Sequence, residues 1–137
     1  MLEEPTIYVV DDDDKCRESM CALVTAKGFI AEGYRSGEEF LSRKVDHSQT
    51  GCLITDYKMG GMTGLELQEE LASQNCHLPV IVVSGHANVS VAVRAMVNGA
   101  VTLLEKPHSE EQLMAAIDRA VYRSAKIRER EARSRTA

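Results

Sequence analysis

The sequence predicts one α/β domain, a doubly wound parallel sheet of five strands with helices on both faces. Two observations support this prediction. Short apolar runs alternate with helical stretches five times along the 137 residues, and strands that alternate with helices form right-handed crossovers to parallel neighbours. Most of the apolar runs are also nearly continuous, which is typical of strands that are buried on both faces.

The five strands are predicted from the apolar runs. They lie at "IYVV" 7–10, "IAEGY" 30–34, "CLIT" 52–55, "VIVVS" 80–84 and "VTLLE" 101–105. The second run differs because apolar and polar residues alternate in it. Such alternation favours a more exposed strand, so we expect this one at an edge of the sheet.

Helix boundaries are predicted from capping signals. Three pairs have the spacing of a capping box: Ser36 with Glu39, Thr63 with Glu66, and Ser109 with Gln112. Gly28 and the Asn98-Gly99 pair follow helical stretches, where a residue in the left-handed conformation is favoured. The last helix carries an apolar stripe at spacings of three and four, formed by Leu113, Ala116, Ile117, Ala120 and Val121.

Composition excludes several classes of protein. The net charge of −5 argues against nucleic-acid binding by the bulk of the chain. No apolar run approaches the roughly 18 residues of a membrane span, and the N-terminus lacks a secretion signal, so we expect a cytoplasmic protein with no membrane partner.

The four cysteines are irregularly spaced and are expected to be reduced and mostly buried. A zinc site at Cys76 and His77 is disfavoured because neighbouring residues rarely both reach one tetrahedral ion.

Polar residues follow the predicted strands where each strand ends. Asp11 and Asp12 follow the first strand, Asp56 the third and Lys106 the fifth, and Ser84 ends the fourth. Ligands of doubly wound sheets bind at this carboxyl edge. Carboxylate oxygens without thiolates or imidazoles suit Mg²⁺, so we predict a magnesium site there.

The four consecutive aspartates cannot all share one ion. We assign Asp11 and Asp12 to the ion, and Asp13 and Asp14 to the start of the first helix, where carboxylates cap free amides. The alternative is that all four form a solvated cluster at the helix start. Arg17 is expected to pair with Asp13 or Asp14 and is given no part in the chemistry.

The order and spacing of these residues resemble the receiver domain of two-component response regulators. The resemblance covers about residues 5 to 123 and lies in "VVDDD" 9–13, "LITDYKM" 53–59, "GLEL" 64–67, "VIVVSGH" 80–86 and "EKP" 105–107. The stretch "VVSGHANVSVAVRAMVNGAV" is most similar to FixJ-type regulators. The resemblance implies the flavodoxin-like, CheY-like strand order 2-1-3-4-5.

The resemblance also implies a role for each site residue. Asp56 would accept a phosphoryl group from a sensor histidine kinase, as a phosphoacceptor rather than as a conventional enzyme. Asp12 and Asp56 would bind Mg²⁺ directly, Asp11 directly or through water, and the backbone carbonyl of Lys58 would add an oxygen. Ser84 would bond a phosphoryl oxygen and Lys106 would pair with the phosphoryl group.

Three positions depart from the family pattern. Gly60 replaces a proline after the acceptor, so we expect a more mobile loop. Leu103 replaces the aromatic residue whose rotamer reports phosphorylation, and His108 replaces a phenylalanine. We expect His86 to flank the site, and His47, His77 and His108 to lie on the surface.

The resemblance divides the chain into a receiver domain, residues 1–123, and a polar helical extension, residues 124–137. The extension resembles the linker to a DNA-binding output domain, which we expect to be absent from this chain. DNA would therefore be contacted only through that domain. Phosphorylation is expected to promote homodimerisation through the fourth helix, fifth strand and fifth helix.

Other functions fit parts of the same pattern. A phosphohydrolase could use Asp11 as nucleophile and Asp13 as acid. A flavin-binding domain of this topology needs a phosphate-binding loop after the first strand, where the aspartates would repel phosphate. A stand-alone receiver, or a pseudo-receiver that only binds a partner protein, is the main alternative. A pseudo-receiver is expected to lack one of the five edge positions, and none is missing here.

Overall fold

A computed structural model describes residues 4–43, 50–86 and 88–136 of the chain. The predicted surface position of His47 lies outside these residues. Five parallel strands form one sheet in the order β2-β1-β3-β4-β5, as predicted. The strands are β1 (Thr6–Val10), β2 (Ile30–Tyr34), β3 (Gly51–Asp56), β4 (Val80–Ser84) and β5 (Thr102–Glu105).

The strand boundaries differ from the prediction by one residue at four strand ends. β1 begins at Thr6, and β3 extends over Gly51 and Asp56 at its two ends. β5 begins at Thr102 rather than at Val101, although the Val101 amide still donates a hydrogen bond to the Val80 carbonyl. These ends are set by pairing with the neighbouring strand, for which the hydrophobic pattern is only an indirect guide. β2 is an exposed edge strand, as its alternating sequence predicted.

The helices begin at hydrogen-bonded caps. Their ranges are α1 (Asp14–Ala26), α2 (Gly37–Ser42), α3 (Gly64–Ser73), α4 (Val89–Val97) and α5 (Glu110–Thr136). The capping boxes at Thr63 and Ser109 are complete, with both reciprocal hydrogen bonds formed. At Ser36 only half of the box forms, because the Glu39 carboxylate accepts from the Arg35 amide instead of from Ser36. Gly28 and Gly99 adopt the predicted positive φ, at 97° and 93°.

Two hydrophobic clusters cover the two faces of the sheet. One joins the sheet to α1 and α5, with Val24 and Ile117 fully buried. The other joins it to α2, α3 and α4, with Phe40 fully buried and Val91 nearly so. Because side chains alternate between the faces along a strand, each inner strand contributes to both clusters. This double burial explains why the inner strands have nearly continuous apolar sequences.

The last helix passes through residue 123 without a break. Ser124, just beyond the predicted boundary, is 5% exposed and accepts a hydrogen bond from the Gly51 amide. Arg128 donates to the Thr50 hydroxyl. The first turns of the predicted extension therefore contact the amino ends of the strands.

The prediction of mostly buried cysteines was wrong for half of them. Cys52 and Cys76 are buried, whereas Cys21 is half-buried and Cys16 is exposed. Cys16 occupies the solvent-facing first turn of α1, which the sequence places beside the aspartates. Among the residues that the structure describes, no helix combines the length and the apolar character needed to cross a bilayer.

Candidate functional site

The loop after β1 separates the four aspartates into two pairs. Asp13 is the N-cap of α1, and its carboxylate accepts the Cys16 amide hydrogen at 2.9 Å. Asp14 is the first residue of the helix and forms an ion pair with Arg17. Asp11 is 8% exposed and accepts a hydrogen bond from the Asp13 amide at 2.9 Å. The second pair of aspartates lies at the helix start, as predicted.

The acidic groups expected at the carboxyl edge lie together. Ligand oxygens of Asp11, Asp12 and Asp56 are all within 4.8 Å of one another. Asp12 also accepts a hydrogen bond from the Gly60 amide at 3.0 Å, which connects the β1–α1 loop to the loop after β3. Three hard carboxylate oxygens at this separation fit a divalent cation such as Mg²⁺, which binds one or two carboxylates and completes its shell with water or phosphate oxygens.

Lys106 is the cation closest to this group in the described part of the chain. Its Nζ lies 3.5 Å from a carboxylate oxygen of Asp56 and 3.9 Å from one of Asp11. β5 ends at Glu105, and the cis Lys106-Pro107 peptide follows it. The Lys106 amide donates to the Ser84 carbonyl at 2.8 Å, so β4 holds the backbone from which the ammonium reaches the carboxylates.

Partial burial changes the proton affinities of the site. Desolvation disfavours a charged carboxylate and raises the pKa of Asp56, against the attraction of Lys106. Desolvation likewise raises the pKa of Asp11, against the hydrogen bond from Asp13. Burial disfavours the ammonium of Lys106, but attraction by Asp56 and Asp11 outweighs it, so the pKa of Lys106 is also raised. An additional cation would relieve the remaining repulsion among the carboxylates.

Ser84 and Lys58 lie on chain segments next to Asp56. The register of β3 and β4 pairs Asp56 with Val83, which places Ser84 one residue further along the neighbouring strand. Ser84 is 2% exposed, and its hydroxyl accepts the His86 amide hydrogen at 3.2 Å. Lys58 is exposed in the loop after β3. Both therefore lie on elements that adjoin Asp56.

An apolar cavity of about 510 Å³ adjoins the site between α1 and the start of α5. Met20 and Leu113 line it, and it reaches Asp56 and Lys106. His108 also lines this cavity; it lies at the surface, as predicted, but is half-buried. The sequence pattern did not predict this partial burial, because the direction of a side chain after Pro107 depends on how the loop packs.

The other two histidines and Leu103 can be placed as well. His77 is exposed, as predicted, and so is His86 beside Ser84. Leu103, at the position that the family fills with an aromatic residue, is half-buried and packs against the cluster on the side of α4. Leu103 therefore lies on the inner side of the surface formed by α4 and β5.

Sequence reasoning missed one residue at this site. Arg17 donates one hydrogen bond to the backbone carbonyl of Asp11 at 2.8 Å and another to the Asp14 carboxylate at 2.5 Å. Only the pairing with an aspartate of the helix start was expected. The one sequence signal was an arginine three residues after Asp14, and such a pair is common on exposed helices.

Comparisons with known proteins agree with this arrangement. Residues 7–118 match the family model described as the response regulator receiver domain. The chain is a response regulator receiver domain. It is 40% identical over 135 residues to the transcriptional regulatory protein FixJ of Azorhizobium caulinodans, which covers 98% of this chain and 64% of that protein.

Solved receiver structures share the fold. The response regulator StyR superposes with a TM-score of 0.89 at 36% identity, covering 97% of this chain and 67% of that one. The structure of FixJ-N gives a TM-score of 0.79 at 35% identity, covering 88% of this chain and 96% of that one. The receiver resembles those of FixJ-type regulators, as predicted from the sequence. The chain spans less than two thirds of the length of the FixJ proteins that it matches.

Proposed function

We propose that this receiver domain accepts a phosphoryl group on Asp56 and changes its conformation in response. The observation that carries the proposal is the position of Asp56, which ends the central strand 3.5 Å from the Lys106 ammonium and within 4.8 Å of the oxygens of Asp11 and Asp12. The Asp56 carboxylate thus lies close both to a cation and to two further carboxylates.

The proposed reaction is a phosphoryl transfer. A carboxylate oxygen of Asp56 attacks the phosphorus of a phosphohistidine or of acetyl phosphate and forms a new O–P bond. The bond from phosphorus to the imidazole nitrogen or the acetate oxygen breaks, and its electron pair stays with the leaving group. Catalysis consists mainly of positioning and of neutralising the phosphoryl oxygens, because little covalent chemistry is required of the protein. Lys106 supplies one positive charge for this purpose.

We assign the metal site to Asp11, Asp12 and Asp56, with the backbone carbonyl of Lys58 as a further oxygen. When bound, Mg²⁺ would supply positive charge against the phosphoryl oxygens. The hydrogen bonds from Asp13 and Gly60 hold Asp11 and Asp12 toward that position before any ion binds.

The proposed switch begins at Ser84. Its hydroxyl oxygen accepts the His86 amide hydrogen, and a phosphoryl group on Asp56 would offer a charged acceptor for the hydrogen of the same hydroxyl. Moving the hydroxyl would shift the loop that leads into α4. Such a shift moves an existing equilibrium by typically 1–3 kcal/mol. Leu103 is smaller than the usual aromatic residue, so we assign most of the shift to Ser84 and this loop.

An exposed apolar stripe on α4 supports homodimerisation as the output of this switch. Val89, Val93, Met96 and Val97 are 79%, 53%, 49% and 78% exposed, at spacings that place them on neighbouring turns. Contiguous exposed apolar surface marks an interaction site more often than scattered residues do. We propose that phosphorylation promotes pairing of two receivers through the face formed by α4, β5 and α5.

Other partners follow from the relatives. The name of the Azorhizobium protein describes a transcriptional regulator, and we propose that this receiver likewise controls a DNA-binding output domain. Its phosphoryl donor would be a sensor histidine kinase, which places the reaction in the cytoplasm, where ATP is available. We propose residues 1–123 as the receiver unit and residues 124–137 as its helical connection to the output domain. A pseudo-receiver is not favoured, because all five edge residues are present.

The decisive experiment is mass spectrometry after treatment with acetyl phosphate and Mg²⁺. The wild-type protein should gain the mass of one phosphoryl group, and Asp56→Asn should gain none. Asp118→Asn, the same substitution at an exposed position on α5, should behave like wild type. Labelling of the Asp56→Asn protein, or a peptide labelled at Asp11, would show that the assignment is wrong.

Sedimentation with and without beryllofluoride and Mg²⁺ tests the dimer separately. Beryllofluoride should increase the average molecular mass that sedimentation measures for the wild-type protein, because dimers form. Val97→Glu should prevent this increase. Ile30→Glu, at an exposed apolar position on the opposite edge strand, should still respond. A mass that stays constant over a wide concentration range would contradict dimerisation without affecting the assignment of Asp56.

A further inference from the structure

We propose that Arg17 is a positioning residue for the metal site. It fixes the peptide group between Asp11 and Asp12, and thereby the relative placement of their two carboxylates. The inference rests on the proposed role of these carboxylates in metal binding. Arg17 itself would not touch the ion or the phosphoryl group.

The guanidinium of Arg17 connects the two ends of the acidic loop. One amino group donates to the backbone carbonyl of Asp11 at 2.8 Å, and the other to the carboxylate of Asp14 at 2.5 Å. The planar, forked guanidinium can reach two acceptors at once, which a lysine ammonium on a flexible stem does less well. The Asp14 contact therefore orients the guanidinium that holds the Asp11 carbonyl.

A hydrogen bond to the Asp11 carbonyl restrains both Asp11 and Asp12, because the peptide group that joins them is planar. The carbonyl carbon and oxygen of Asp11 lie in one plane with the Cα atoms of both Asp11 and Asp12. On the other side of Asp11, its amide donates to the Tyr34 carbonyl at 3.1 Å and continues the pairing of β1 with β2. Arg17 thus fixes the first peptide group beyond the sheet pairing. This peptide group joins the two residues, Asp11 and Asp12, that carry the carboxylates.

The rest of the Arg17 side chain is packed. Only 12% of it is exposed, although its partner Asp14 is 67% exposed. A Cβ atom at Gly33 of β2 would lie 3.2 Å from Cγ and from Cδ of Arg17, so the absence of a side chain there leaves room for the stem. A buried stem restricts the rotamers of Arg17, which distinguishes it from an ordinary surface arginine.

Positioning and charge make opposite predictions for Mg²⁺ affinity. Removing a positive charge near three carboxylates strengthens the attraction of a cation, by Coulomb's law alone. Removing the hydrogen bond to the Asp11 carbonyl releases the loop between β1 and α1. Ordering that loop then costs part of the free energy of Mg²⁺ binding, so the affinity falls. Outer-shell partners that orient metal ligands typically change the affinity by roughly 10- to 100-fold.

Calorimetric titration of the full chain with Mg²⁺ separates the two effects. Arg17→Met keeps an apolar stem against Gly33 but removes the donors and the charge, and should weaken Mg²⁺ binding by about 10-fold. Arg17→Lys keeps the charge and should fall between wild type and Arg17→Met. Arg35→Met is the matched control: Arg35 is exposed and also attracts Asp14, and its removal should leave the affinity unchanged or slightly higher.

Melting temperatures measured with and without Mg²⁺ identify a merely structural effect. A general loss of stability would lower both values equally, whereas loss of positioning should reduce the increase that Mg²⁺ produces. The inference is overturned if Arg17→Met binds Mg²⁺ as tightly as wild type or more tightly. If Arg17→Met does not fold, the same comparison is made between Arg17→Lys and Arg35→Met. A wild-type protein that does not bind Mg²⁺ would instead overturn the proposed metal site and, with it, this role of Arg17.

Discussion

At the carboxyl ends of the strands, the side chains of Asp11 and Asp56 lie largely buried beside Asp12, with the Lys106 ammonium 3.5 Å from Asp56. At the amino ends, α5 makes hydrogen bonds to uncharged groups of the loops. Arg128 donates to the Thr50 hydroxyl at 3.0 Å and Arg123 to the Gly99 carbonyl at 2.9 Å, while Ser124 accepts from the Gly51 amide at 3.0 Å.

The two edges differ in whether their stability should depend on a bound ligand. Burial raises the pKa of Asp11 and of Asp56 at the carboxyl edge, which means that their charges are disfavoured in the folded protein. A bound cation would favour those charges and so stabilise the fold by mass action. The contacts of the amino edge are formed between groups of the chain itself. We therefore expect ligand-dependent stability at one edge and ligand-independent stability at the other.

The largest expected effect is at the carboxyl edge, on Mg²⁺ binding. Asp12→Ala removes one of the three clustered carboxylates and should weaken Mg²⁺ binding by at least about 10-fold, the lower end of the effect of even an outer-shell partner. Asp14→Ala should change it much less, because Asp14 lies at the helix start and would act on the metal site only indirectly, through its contact with Arg17. Calorimetry measures both affinities. Equal effects of the two substitutions would favour the alternative in which all four aspartates form one solvated cluster.

At the amino edge the largest expected effect is on stability. A Cβ atom at Gly51 would lie 2.4 Å from the backbone oxygen of Thr6 on the neighbouring strand. Gly51→Ala should therefore force the strands apart and cost about 1–3 kcal/mol of unfolding free energy, measured by urea denaturation. Gly85→Ala is the control, since a Cβ there meets nothing within 4 Å. If the loss of unfolding free energy in Gly51→Ala depended strongly on Mg²⁺, the proposed difference between the two edges would be wrong.

Asp56→Asn is expected to have a smaller effect on stability, measured without metal, and this effect should be an increase rather than a loss. Because burial raises the pKa of Asp56 above its unfolded value, the ionised carboxylate destabilises the fold at neutral pH, and this penalty disappears as the pH falls through the raised pKa. Asp56→Asn should therefore raise the melting temperature at pH 7, by about 4 °C for each kcal/mol recovered. The gain should shrink on acidification. A gain that grows at acidic pH would contradict the sign of the shift.

The smallest expected effect is fraying of α5. Arg128→Ala removes the contact with Thr50, and one hydrogen bond of typical net strength corresponds to roughly 2- to 12-fold in the local opening equilibrium. Amide hydrogen exchange in residues 129–134 should accelerate by that factor, with or without Mg²⁺. Arg130→Ala, at an exposed position of the same helix, should accelerate it less. Equal exchange in the two variants would show that the contact does not hold the helix end.

The sequence predicted which residues lie together at the carboxyl edge where residue type and strand position coincide. Asp56 and Lys106 had to meet, because parallel strands end at the same edge and their order follows from the fold. Asp13 could be assigned to the helix start from its place before α1. The partial burial of His108 and the exposure of Cys16 were not predicted, because burial of a side chain in a loop or in a first helical turn depends on packing between distant segments.

The sequence by itself determined the order of strands and helices, the residues at the carboxyl edge and most of the helix caps. These features depend on local periodicity and on residues close in the chain. The contact of Arg17 with the Asp11 carbonyl, the space left by Gly33 and the docking of α5 on Thr50 were decided only by the tertiary structure. Their partners include backbone groups, which carry no sequence signal, and their positions are fixed only when separate segments pack together.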